Sequence, residues 1–266
     1  MITIKIGGSI VDGLHPTFVS DIASLRQDGV VIVHGGGKEV TKVCSQMGIQ
    51  PRFVTSPSGI RSRYTDADTM SVFAMVMAGR INQGIVQMLQ KNGIPAVGLA
   101  GADARILEAA RKKRLLIIND KGRKQAIDGG YTGKITSVNH VFLKRLLDDG
   151  FIPVISPIAL SEEHEPLNVD GDRAAANVAG AIKSDSVIFV TDVDGLLMDD
   201  SLVPRLTLQE ARDVRSRVGP GMEKKILAST EALEMGVKHA IIACGQRSNP
   251  ITRAIMQENC TVIDDG

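Results

Sequence analysis

The sequence lacks several features whose absence narrows both fold and function. It has no Trp, and aromatic residues make up 3% of its 266 residues, so the core is expected to be aliphatic. No uninterrupted apolar run approaches the roughly 18 residues that a membrane-spanning helix needs. The net charge of +1 argues against nucleic acid as the main partner. These features predict a globular chain in the cytoplasm, with no membrane partner.

The cysteines and the common nucleotide motifs also exclude some classes of site. Cys44, Cys244 and Cys260 are odd in number, have no metal-ligand spacing and lie in apolar surroundings, which predicts buried thiols in a reducing compartment and no metal site. The P-loop pattern G-x-x-x-x-G-K followed by Ser or Thr is absent. So is G-x-G-x-x-G with an acidic residue at dinucleotide spacing, which makes a dehydrogenase the weakest option.

Glycine is abundant, with 27 residues, and many glycines follow apolar runs. Residues 30–33 predict a buried strand, which His34 and the glycines Gly35, Gly36 and Gly37 follow. We expect these glycines to turn the chain sharply and to present N–H groups at the start of a helix over residues 38–47. Such a site favours a carboxylate or a phosphate, whereas a tight turn without a ligand is the alternative.

A lysine stands in the first predicted strand. Residues 2–6 alternate into Gly7 and Gly8, and Lys5 lies inside this apolar segment. A lysine there is costly unless its ammonium group meets an anion at the mouth of the strand. We favour that interpretation over a solvent-facing lysine because two glycines follow it.

Two basic segments occupy the first half of the chain. Segment 55–66 is rich in Ser, Pro and Arg and is predicted to be a loop that carries Arg61 and Arg63. An arginine fork suits a carboxylate, although many loop arginines only contact solvent. Asp66 is predicted to cap a helix over residues 67–78, with a second helix over residues 81–92. Residues 111–124 carry seven Lys or Arg against one Asp, and they predict hairpins that could dock an acidic partner or simply face solvent.

The second half repeats the strand-and-loop arrangement. Asn168, Asp170 and Asp172 gather at the start of a helix predicted over residues 173–182, and capping explains only one of them well. Residues 191–195 follow a predicted strand, and a second glycine loop, residues 219–225, precedes a predicted helix over residues 226–235.

Alternating strands and helices predict an α/β fold, a three-layer α/β/α sandwich with a mainly parallel central sheet. Ligands of such sheets bind at the carboxyl ends of the strands, where the glycine and acidic clusters fall. Lys5, Gly8, Gly36, Lys224 and Lys225 would hold phosphate oxygens there, and Asp172 would orient the lysines or bind magnesium through water. Residue types alone therefore predict an ATP-using transferase or an anion-binding module.

Five motifs carry a resemblance to a known family. The chain contains, in order, KIGGS, HGGG, NVDGD, TDVDG and GM-x-x-K, and over essentially its whole length it resembles the amino acid kinase superfamily. Within it, the chain looks most like the acetylglutamate kinases and their LysZ-type relatives, which phosphorylate aminoadipate or glutamate held on an acidic carrier protein (LysW). Acetylglutamate kinases carry G-[LIV]-R-V-T-D, whereas GIRSRYTD, residues 59–66, is an expanded form that looks like the carrier-protein branch.

The resemblance implies an amino acid kinase (carbamate kinase-like) fold in one two-lobed unit. Residues 1–160 would bind the acyl acceptor, residues 161–266 would bind ATP with Mg²⁺, and the chain would form homodimers. The resemblance also implies roles for individual residues. Lys5 and Lys225, with Lys224 as the alternative, would stabilise the transition state, and Asp172 would organise the lysines. The acceptor would contact Gly35, Gly36, Asn168 and Arg63, with Arg61 as the less favoured arginine. The nucleotide would be bordered by Gly7, Gly8, Thr191, Asp192, Asp194, Gly195, Gly221 and Met222.

The resemblance implies an ATP-dependent kinase that phosphorylates the side-chain carboxylate of carrier-bound aminoadipate or glutamate in lysine or arginine biosynthesis. An acetylglutamate kinase acting on the free substrate is the nearest rival. A non-catalytic sensor of amino acids or nucleotides is a rival of another class, against which the presence of Lys5, Asp172 and Lys225 argues. In this interpretation the basic hairpins would bind the acidic carrier protein.

Overall fold

The computed structural model describes residues 1–266, apart from the side chain of residue 220. Its strands are β1 Ile2–Ile6, β2 Val30–His34, β3 Phe53–Thr55, β4 Arg61–Arg63, β5 Ala96–Ala100, β6 Leu107–Arg111, β7 Arg114–Ile118, β8 Lys124–Asp128, β9 Gly133–Val138, β10 Ile152–Ser156, β11 Ile158–Leu160, β12 Pro166–Asn168, β13 Ser186–Thr191, β14 Leu197–Met198, β15 Ser201–Leu202, β16 Arg205–Thr207, β17 His239–Cys244 and β18 Cys260–Asp264. Its α-helices are α1 Thr17–Ser24, α2 Gly37–Gln46, α3 Ala67–Ala74, α4 Asn82–Lys91, α5 His140–Asp148, α6 Gly171–Ile182, α7 Leu208–Val214, α8 Pro220–Glu234 and α9 Pro250–Ile255.

Eight strands form the central sheet, in the order β16-β18-β17-β13-β1-β2-β10-β5. The strands from β17 to β5 are parallel to their neighbours, whereas β18 runs antiparallel to β17. The predicted mainly parallel sheet is therefore confirmed. Smaller sheets, β12-β11-β6-β9 and β4-β3-β7-β8, stand beside it.

Alternating side chains of the central strands build two separate cores. In β2, Val30 and Ile32 belong to one buried cluster, and Val31 and Val33 to the other. The first core is covered by α1, α2, α3, α4 and α9, and the second by α5, α6, α7 and α8. Since successive strand side chains point to opposite faces, one strand supplies both cores. The result is the predicted three-layer α/β/α sandwich.

The register of β1 sets the position of the glycine loops. Lys5 lies opposite Val33 of β2 on one side and opposite Phe189 of β13 on the other. The three parallel strands therefore end at the same edge of the sheet, and their following loops are neighbours. This edge carries Gly7 and Gly8, Gly35 and Gly36, and the segment after Thr191.

One continuous helix replaces the two helices predicted over residues 67–78 and 81–92. Residues Met75–Ile81 between α3 and α4 form a π-helical segment, so the chain passes Gly79 without a break. A window of 18 residues in Ala67–Lys91 is apolar and long enough to cross a membrane, and half of that window is buried inside the protein. Met70, Phe73 and Leu89 of this helix pack in the first core.

The segment predicted as a loop over residues 55–66 contains a short hairpin instead. Strands β3 and β4 pair antiparallel, with Phe53 opposite Arg63 and Thr55 opposite Arg61. Strands of three residues carry too little periodic pattern to be recognised in a segment rich in Ser and Pro. Both arginines therefore project from a strand.

The basic segment 111–124 is divided between two sheets. Strands β7 and β8 form the predicted hairpin, whereas Arg111 ends β6 and pairs with Glu165 at 2.7 Å. The side chain of Arg111 also stacks on Tyr131, with its guanidinium carbon 4.7 Å from the ring centroid. Arg111 is therefore part of the packed structure, and the exposed basic side chains are those from Lys113 onward.

Candidate active site

A cleft of about 900 Å³ opens at the carboxyl edge of the central sheet. Nine of the residues selected from the sequence line it: Lys5, Gly8, Gly35, Gly36, Arg61, Arg63, Asn168, Asp172 and Lys224. The structure thus brings together side chains that are separated by more than 200 positions in the chain. The other selected residues lie outside the described lining of the cleft: Gly7, Thr191, Asp192, Asp194, Gly195, Gly221, Met222 and Lys225.

A buried ion-pair cluster lies at the base of the cleft. Lys5 Nζ is 2.7 Å from Asp172 Oδ1, and Lys225 Nζ approaches Asp172 Oδ2 at 3.8 Å. Lys5 and Asp172 are each only 6% exposed. Lys5 comes from the end of β1, Asp172 from the first turn of α6 and Lys225 from the second turn of α8. Two cations therefore converge on one carboxylate from different parts of the chain.

Burial and neighbouring charges shift the pKa values of Asp172 and Lys225. Burial opposes the ionised form of Asp172, but the adjacent Lys5 and Lys225 outweigh it and hold the pKa of Asp172 below its ordinary value. Burial lowers the pKa of Lys225, and Asp172 counteracts that shift. The cluster carries one positive charge more than its carboxylate neutralises, which makes the base of the cleft attractive to an anion.

The neighbouring side chains hold α6 and α8 together. Asp170 caps α6 by accepting hydrogen bonds from the N–H groups of Asp172 and Arg173. Lys224 Nζ lies 3.7 Å from the other oxygen of Asp170. Arg173 donates two hydrogen bonds to Glu231 at 2.8 and 2.6 Å. One of the three polar residues at this helix start is thus the cap, as predicted, while Asp172 pairs with the lysines.

The glycine loops after β1 and β2 lie back to back. A Cβ atom on Gly8 would stand 2.3 Å from the backbone nitrogen of Gly36, and one on Gly36 would stand 2.1 Å from Ile81 Cδ1. Gly36 has an extended φ of 173°, and neither glycine is among those with a left-handed φ, so their φ angles do not explain why glycine stands there. They are needed because two backbones and the long helix meet without room for a side chain.

These loops also contain backbone amides without hydrogen-bond partners. The N–H groups of Gly8 and Gly36 have no hydrogen-bond acceptor among the described residues. Gly36 is the N-cap of α2 and offers no capping side chain, so the first-turn amides of α2 are also free. Unpaired donors at the positive end of a helix dipole form a site for an anion.

Arg63 fits an anion site better than Arg61 does. Its Nη2 donates to Gly37 O at 2.7 Å and to Thr41 Oγ1 at 2.6 Å, which ties β4 to α2. Its Nη1 is buried without an acceptor among the described residues. Burial also lowers the pKa of Arg63. Arg61 is exposed and packs over Phe53, with its guanidinium carbon 4.7 Å from the ring centroid.

Asn168, the last residue of β12, also lines the cleft. Its Nδ2 donates to Thr65 Oγ1 at 2.9 Å, and its backbone N–H donates to Tyr131 O. Thr132 is bridged to Asn168 through the backbone, and its hydroxyl is buried without a described hydrogen-bond partner. These contacts join β12 to the segment around Gly130 and to the end of the arginine strand.

The residues predicted to border a nucleotide lie around the ends of β13 and α8. Thr191 donates to the carboxylate of Asp192, whose charge weakly opposes the lowering of the pKa of Lys225 by burial. Asp194 forms a bidentate ion pair with Arg247. Gly195 has a packing role, because a Cβ atom there would lie 2.4 Å from Thr261 Oγ1. Gly221 and Met222 lie inside the first turn of α8, not in a loop before it.

Comparison with known proteins identifies the family. Residues 1–244 match the model of the amino acid kinase family.

The chain belongs to the amino acid kinase family.

Two relatives match this amino acid kinase over nearly its whole length. A protein of Metallosphaera sedula named LysW-aminoadipate/LysW-glutamate kinase is 43% identical over 257 residues, which is 96% of this chain and 97% of the relative. A protein of Nitrosopumilus maritimus that carries the same name provisionally is 68% identical over 265 residues, 99% of each chain. The predicted class of enzyme, a phosphotransferase with a carboxyl group as acceptor, is confirmed by this family and these names.

The fold of this amino acid kinase is found in solved structures. The carbamate kinase of Giardia aligns with a TM-score of 0.68 over 100% of this chain and 98% of its own, at 15% sequence identity. The predicted amino acid kinase (carbamate kinase-like) fold is confirmed.

Several cleft residues of this amino acid kinase were missed by sequence analysis as candidates for the site. Thr132, Lys112, Lys134 and Arg173 all line the cleft. Burial, Arg173 and Lys134 together lower the pKa of Lys112. Lys112 belonged to the recognised basic segment, but only the folded chain shows that its side chain turns into the cleft. Nothing in the sequence around Thr132 predicts its place in the site, because only the folded chain buries its hydroxyl without a hydrogen-bond partner.

Proposed function

We propose that this kinase transfers the γ-phosphate of ATP to the side-chain carboxylate of aminoadipate or glutamate carried on an acidic, LysW-type carrier protein. A carboxylate oxygen attacks the γ-phosphorus, the bond from that phosphorus to the β,γ-bridging oxygen breaks, and ADP leaves. The product is an acyl phosphate. The reaction would serve lysine or arginine biosynthesis in the cytoplasm. In this proposal the carrier joins its cargo through the α-amine, which prevents that amine from cyclising onto the activated acid.

The main support is the Lys5–Asp172–Lys225 cluster. Phosphoryl transfer needs positioning and charge stabilisation more than covalent help from the protein. Lys5 and Lys225 converge at 2.7 and 3.8 Å on one buried carboxylate, so both ammonium groups are fixed before a substrate arrives. Preorganised cations stabilise the charge that spreads over the transferred phosphoryl group. Both carboxylate oxygens of Asp172 lie close to lysine ammonium groups, which favours a role in orienting the lysines over a role in binding magnesium.

The acceptor would lie between the glycine loops and the arginine strand. The unpaired Nη1 of Arg63 and the N–H of Gly36 offer donors to a carboxylate, and Asn168 bounds the same space. Arg63 is held by Gly37 and Thr41, so its remaining donor has a fixed direction. A fixed guanidinium loses little rotamer freedom when it binds an anion.

The residues present fit the phosphates of ATP, which would bring magnesium with them. Lys5, Lys224 and Lys225 and the amides of the first glycine loop are donors suited to phosphate oxygens. No group of three His, Cys, Asp or Glu residues that could hold a metal occurs among the described residues. Mg²⁺ usually binds through substrate phosphates with one or two carboxylates. Asp170 would be the nearest candidate, because its Oδ2 contacts only Lys224, at 3.7 Å.

A carrier protein would approach over the basic hairpin β7–β8. Lys112 and Leu115, at the foot of the hairpin, line the cleft together with Lys134, so the cleft extends from Asp172 to the base of the hairpin. Beyond it, Lys113, Arg114, Lys121, Arg123 and Lys124 are exposed. A positive surface beside the mouth of the cleft suits an acidic partner that delivers its cargo inward.

A hydroxylamine trap for acyl phosphate tests the proposal. With MgATP, we expect hydroxamate from a carrier bearing aminoadipate or glutamate, and little or none from free N-acetylglutamate. Efficient turnover of free N-acetylglutamate would instead assign an acetylglutamate kinase. Lys5→Ala is expected to abolish hydroxamate while nucleotide binding persists. Wild-type protein that binds ligands but yields no hydroxamate with any acceptor would favour a sensor.

A further inference from the structure

A buried histidine lies directly behind the glycine loop without a part in the proposed chemistry. His34 is the last residue of β2, is fully buried and does not line the cleft. Its neighbour is Asn82, the first residue of α4, which is 1% exposed. Both are polar residues in the first core, where an unpaired polar group is costly. Hydrogen bonds must therefore compensate for the burial of these two side chains.

The contacts of Asn82 determine how its amide is oriented. Asn82 Nδ2 lies 2.8 Å from Val154 O, and a carbonyl oxygen can only accept a hydrogen bond. The nitrogen of the amide therefore points at Val154. The same nitrogen lies 3.2 Å from His34 Nε2 and 3.5 Å from Leu99 O, so its second hydrogen goes to the nearer acceptor, the imidazole. Asn82 Oδ1 is buried without a hydrogen-bond partner among the described residues. His34 Nε2 is thus an acceptor and carries no proton.

The proton of the neutral ring is then on Nδ1. Burial lowers the pKa of His34 to about 4, against a smaller opposing effect of the Gly35 carbonyl, and the charge of Lys5 lowers it further. At neutral pH the ring is therefore uncharged, with Nδ1–H and an unprotonated Nε2. His34 Nδ1 lies 3.2 Å from Gly35 O, so it donates to that carbonyl.

Fixing the Gly35 carbonyl also fixes the next amide. The peptide bond between Gly35 and Gly36 is planar and trans. The N–H of Gly36 therefore points in the direction opposite to the C=O of Gly35. With the carbonyl turned toward the buried ring, the N–H of Gly36 is turned away from the core, and Gly36 lines the cleft. This is the N–H without an acceptor among the described residues.

The surrounding packing holds Asn82 in place. A Cβ atom on Gly98 would stand 2.1 Å from Asn82 Oδ1, so the amide fits only because β5 has a glycine there. The π-helical segment Met75–Ile81 ends directly before Asn82, and its Met77 and Ile81 cover Gly36. A π-helical turn displaces the residues that follow it relative to an α-helix, and such turns are frequent at functional sites.

We propose that His34 and Asn82 are positioning residues whose hydrogen-bond relay, Asn82 to His34 to the Gly35 carbonyl, aims the Gly36 N–H at the acceptor carboxylate. The relay acts through the backbone, and neither side chain touches the substrate. The identity of the anion rests on the proposed function, whereas the hydrogen-bond pattern of the relay does not.

The tautomer of His34 in the unliganded wild-type protein is the first test. In ¹⁵N-histidine-labelled protein, His34 is assigned as the signal that is lost in His34→Asn. We expect an Nδ1–H tautomer at neutral pH, and a shift of this signal in Asn82→Leu. An Nε2–H tautomer or a charged ring would overturn the relay, whatever reaction the enzyme performs.

The second test separates positioning from folding through steady-state kinetics on the carrier-bound acceptor. Asn can replace the Nδ1–H donor of His34, whereas Leu cannot, so His34→Asn is expected to retain most of the wild-type kcat/KM. For His34→Leu and Asn82→Leu we expect kcat/KM for the acceptor to fall roughly 10- to 100-fold, mainly through KM, with the KM for ATP changed less than about 2-fold. Gly98→Ala, which displaces Asn82, should behave like Asn82→Leu.

Leu89→Ala is the matched control, because Leu89 is fully buried in the same helix and core but lies away from the glycine loop. A wild-type acceptor KM in His34→Leu, or an equal loss in Leu89→Ala, would overturn the positioning role. If no carrier substrate is turned over at all, the proposed function fails, and the tautomer still decides the relay.

Discussion

At the scale of single residues, burial distinguishes the two adjacent lysines of α8. Lys225 has a side chain only 12% exposed and pairs with Asp172, the carboxylate that also holds Lys5. Lys224 has a side chain 28% exposed and lies near Asp170, the cap of α6. Adjacent helical residues point about 100° apart, which follows from 3.6 residues per turn. Only Lys225 therefore reaches the buried cluster.

Substitution of these lysines tests the assignment. We expect Lys225→Ala to lower kcat by roughly 10²- to 10³-fold, because it removes a preorganised cation from the charge cluster. Lys224→Ala should act mainly on KM and lower kcat less than about 10-fold. Hydroxamate kinetics measure both, with thermal unfolding as the check on folding. A greater loss of kcat in Lys224→Ala than in Lys225→Ala would exchange the two roles.

The sequence predicted Lys5 and Asp172 as members of one site, and the family motif favoured Lys225 over Lys224 without a physical reason for the choice. Burying a lysine in an apolar strand costs free energy unless the lysine meets an anion, so Lys5 can be recognised as a candidate site residue from the sequence alone. The choice of Lys225 depends on helical phase, and residues 219–225 were predicted as a loop, for which no phase is defined. The structure places both lysines inside α8, which begins at residue 220.

At the scale of elements, long periodic segments were predicted well and short or irregular ones were not. The strands β1 and β2 and the helix α6 follow clear apolar patterns, and their approximate bounds were expected. The three-residue strands β3 and β4 and the π-helical segment Met75–Ile81 depend on tertiary contacts, such as the covering of Gly36 by Ile81. The local sequence pattern cannot predict an element that is stabilised mainly by contacts with residues distant in the chain.

The hairpin β7–β8 is the element that gives the clearest prediction about the carrier. The double change Lys121→Glu and Arg123→Glu alters two exposed side chains at its tip. We expect it to weaken carrier binding at least 10-fold at low ionic strength, and less at high salt, because the interaction is electrostatic. Titration calorimetry at two salt concentrations measures this. Lys112 is unsuitable for the purpose, since its half-buried side chain lines the cleft.

The matched control changes the same charge at the opposite edge of the sheet. Lys91 and Arg145 are exposed near the ends of α4 and α5, where these helices lead into the amino ends of β5 and β10. Lys91→Glu with Arg145→Glu should leave carrier affinity within about 2-fold, because the charges lie beyond the Debye length of the cleft mouth at moderate salt. Equal losses in both double variants would attribute the effect to net charge and remove the hairpin from the proposal.

At the scale of the whole molecule, the two proposed lobes share one sheet. β1, from the first lobe, pairs with β2 on one side and with β13, from the second lobe, on the other. Each of the two cores also contains residues from both lobes: Val31 and Ala176 lie in one, and Ile32 and Ile241 in the other. The proposed division at residue 160 thus concerns ligand binding and does not separate two hydrophobic cores.

This shared core predicts that the chain unfolds in a single cooperative transition. Both tyrosines, Tyr64 and Tyr131, belong to residues 1–160 and lie under arginine side chains, and there is no Trp, so intrinsic fluorescence originates from residues 1–160. We expect the guanidinium midpoint from tyrosine fluorescence to coincide with that from far-UV circular dichroism, which reports on both lobes. Hydrogen exchange in β17 gives a matched probe of the second lobe and should show the same opening free energy as β2. A fluorescence midpoint clearly below the dichroism midpoint would mean that the first lobe unfolds separately, and the continuous sheet would then not make the two lobes one cooperative unit.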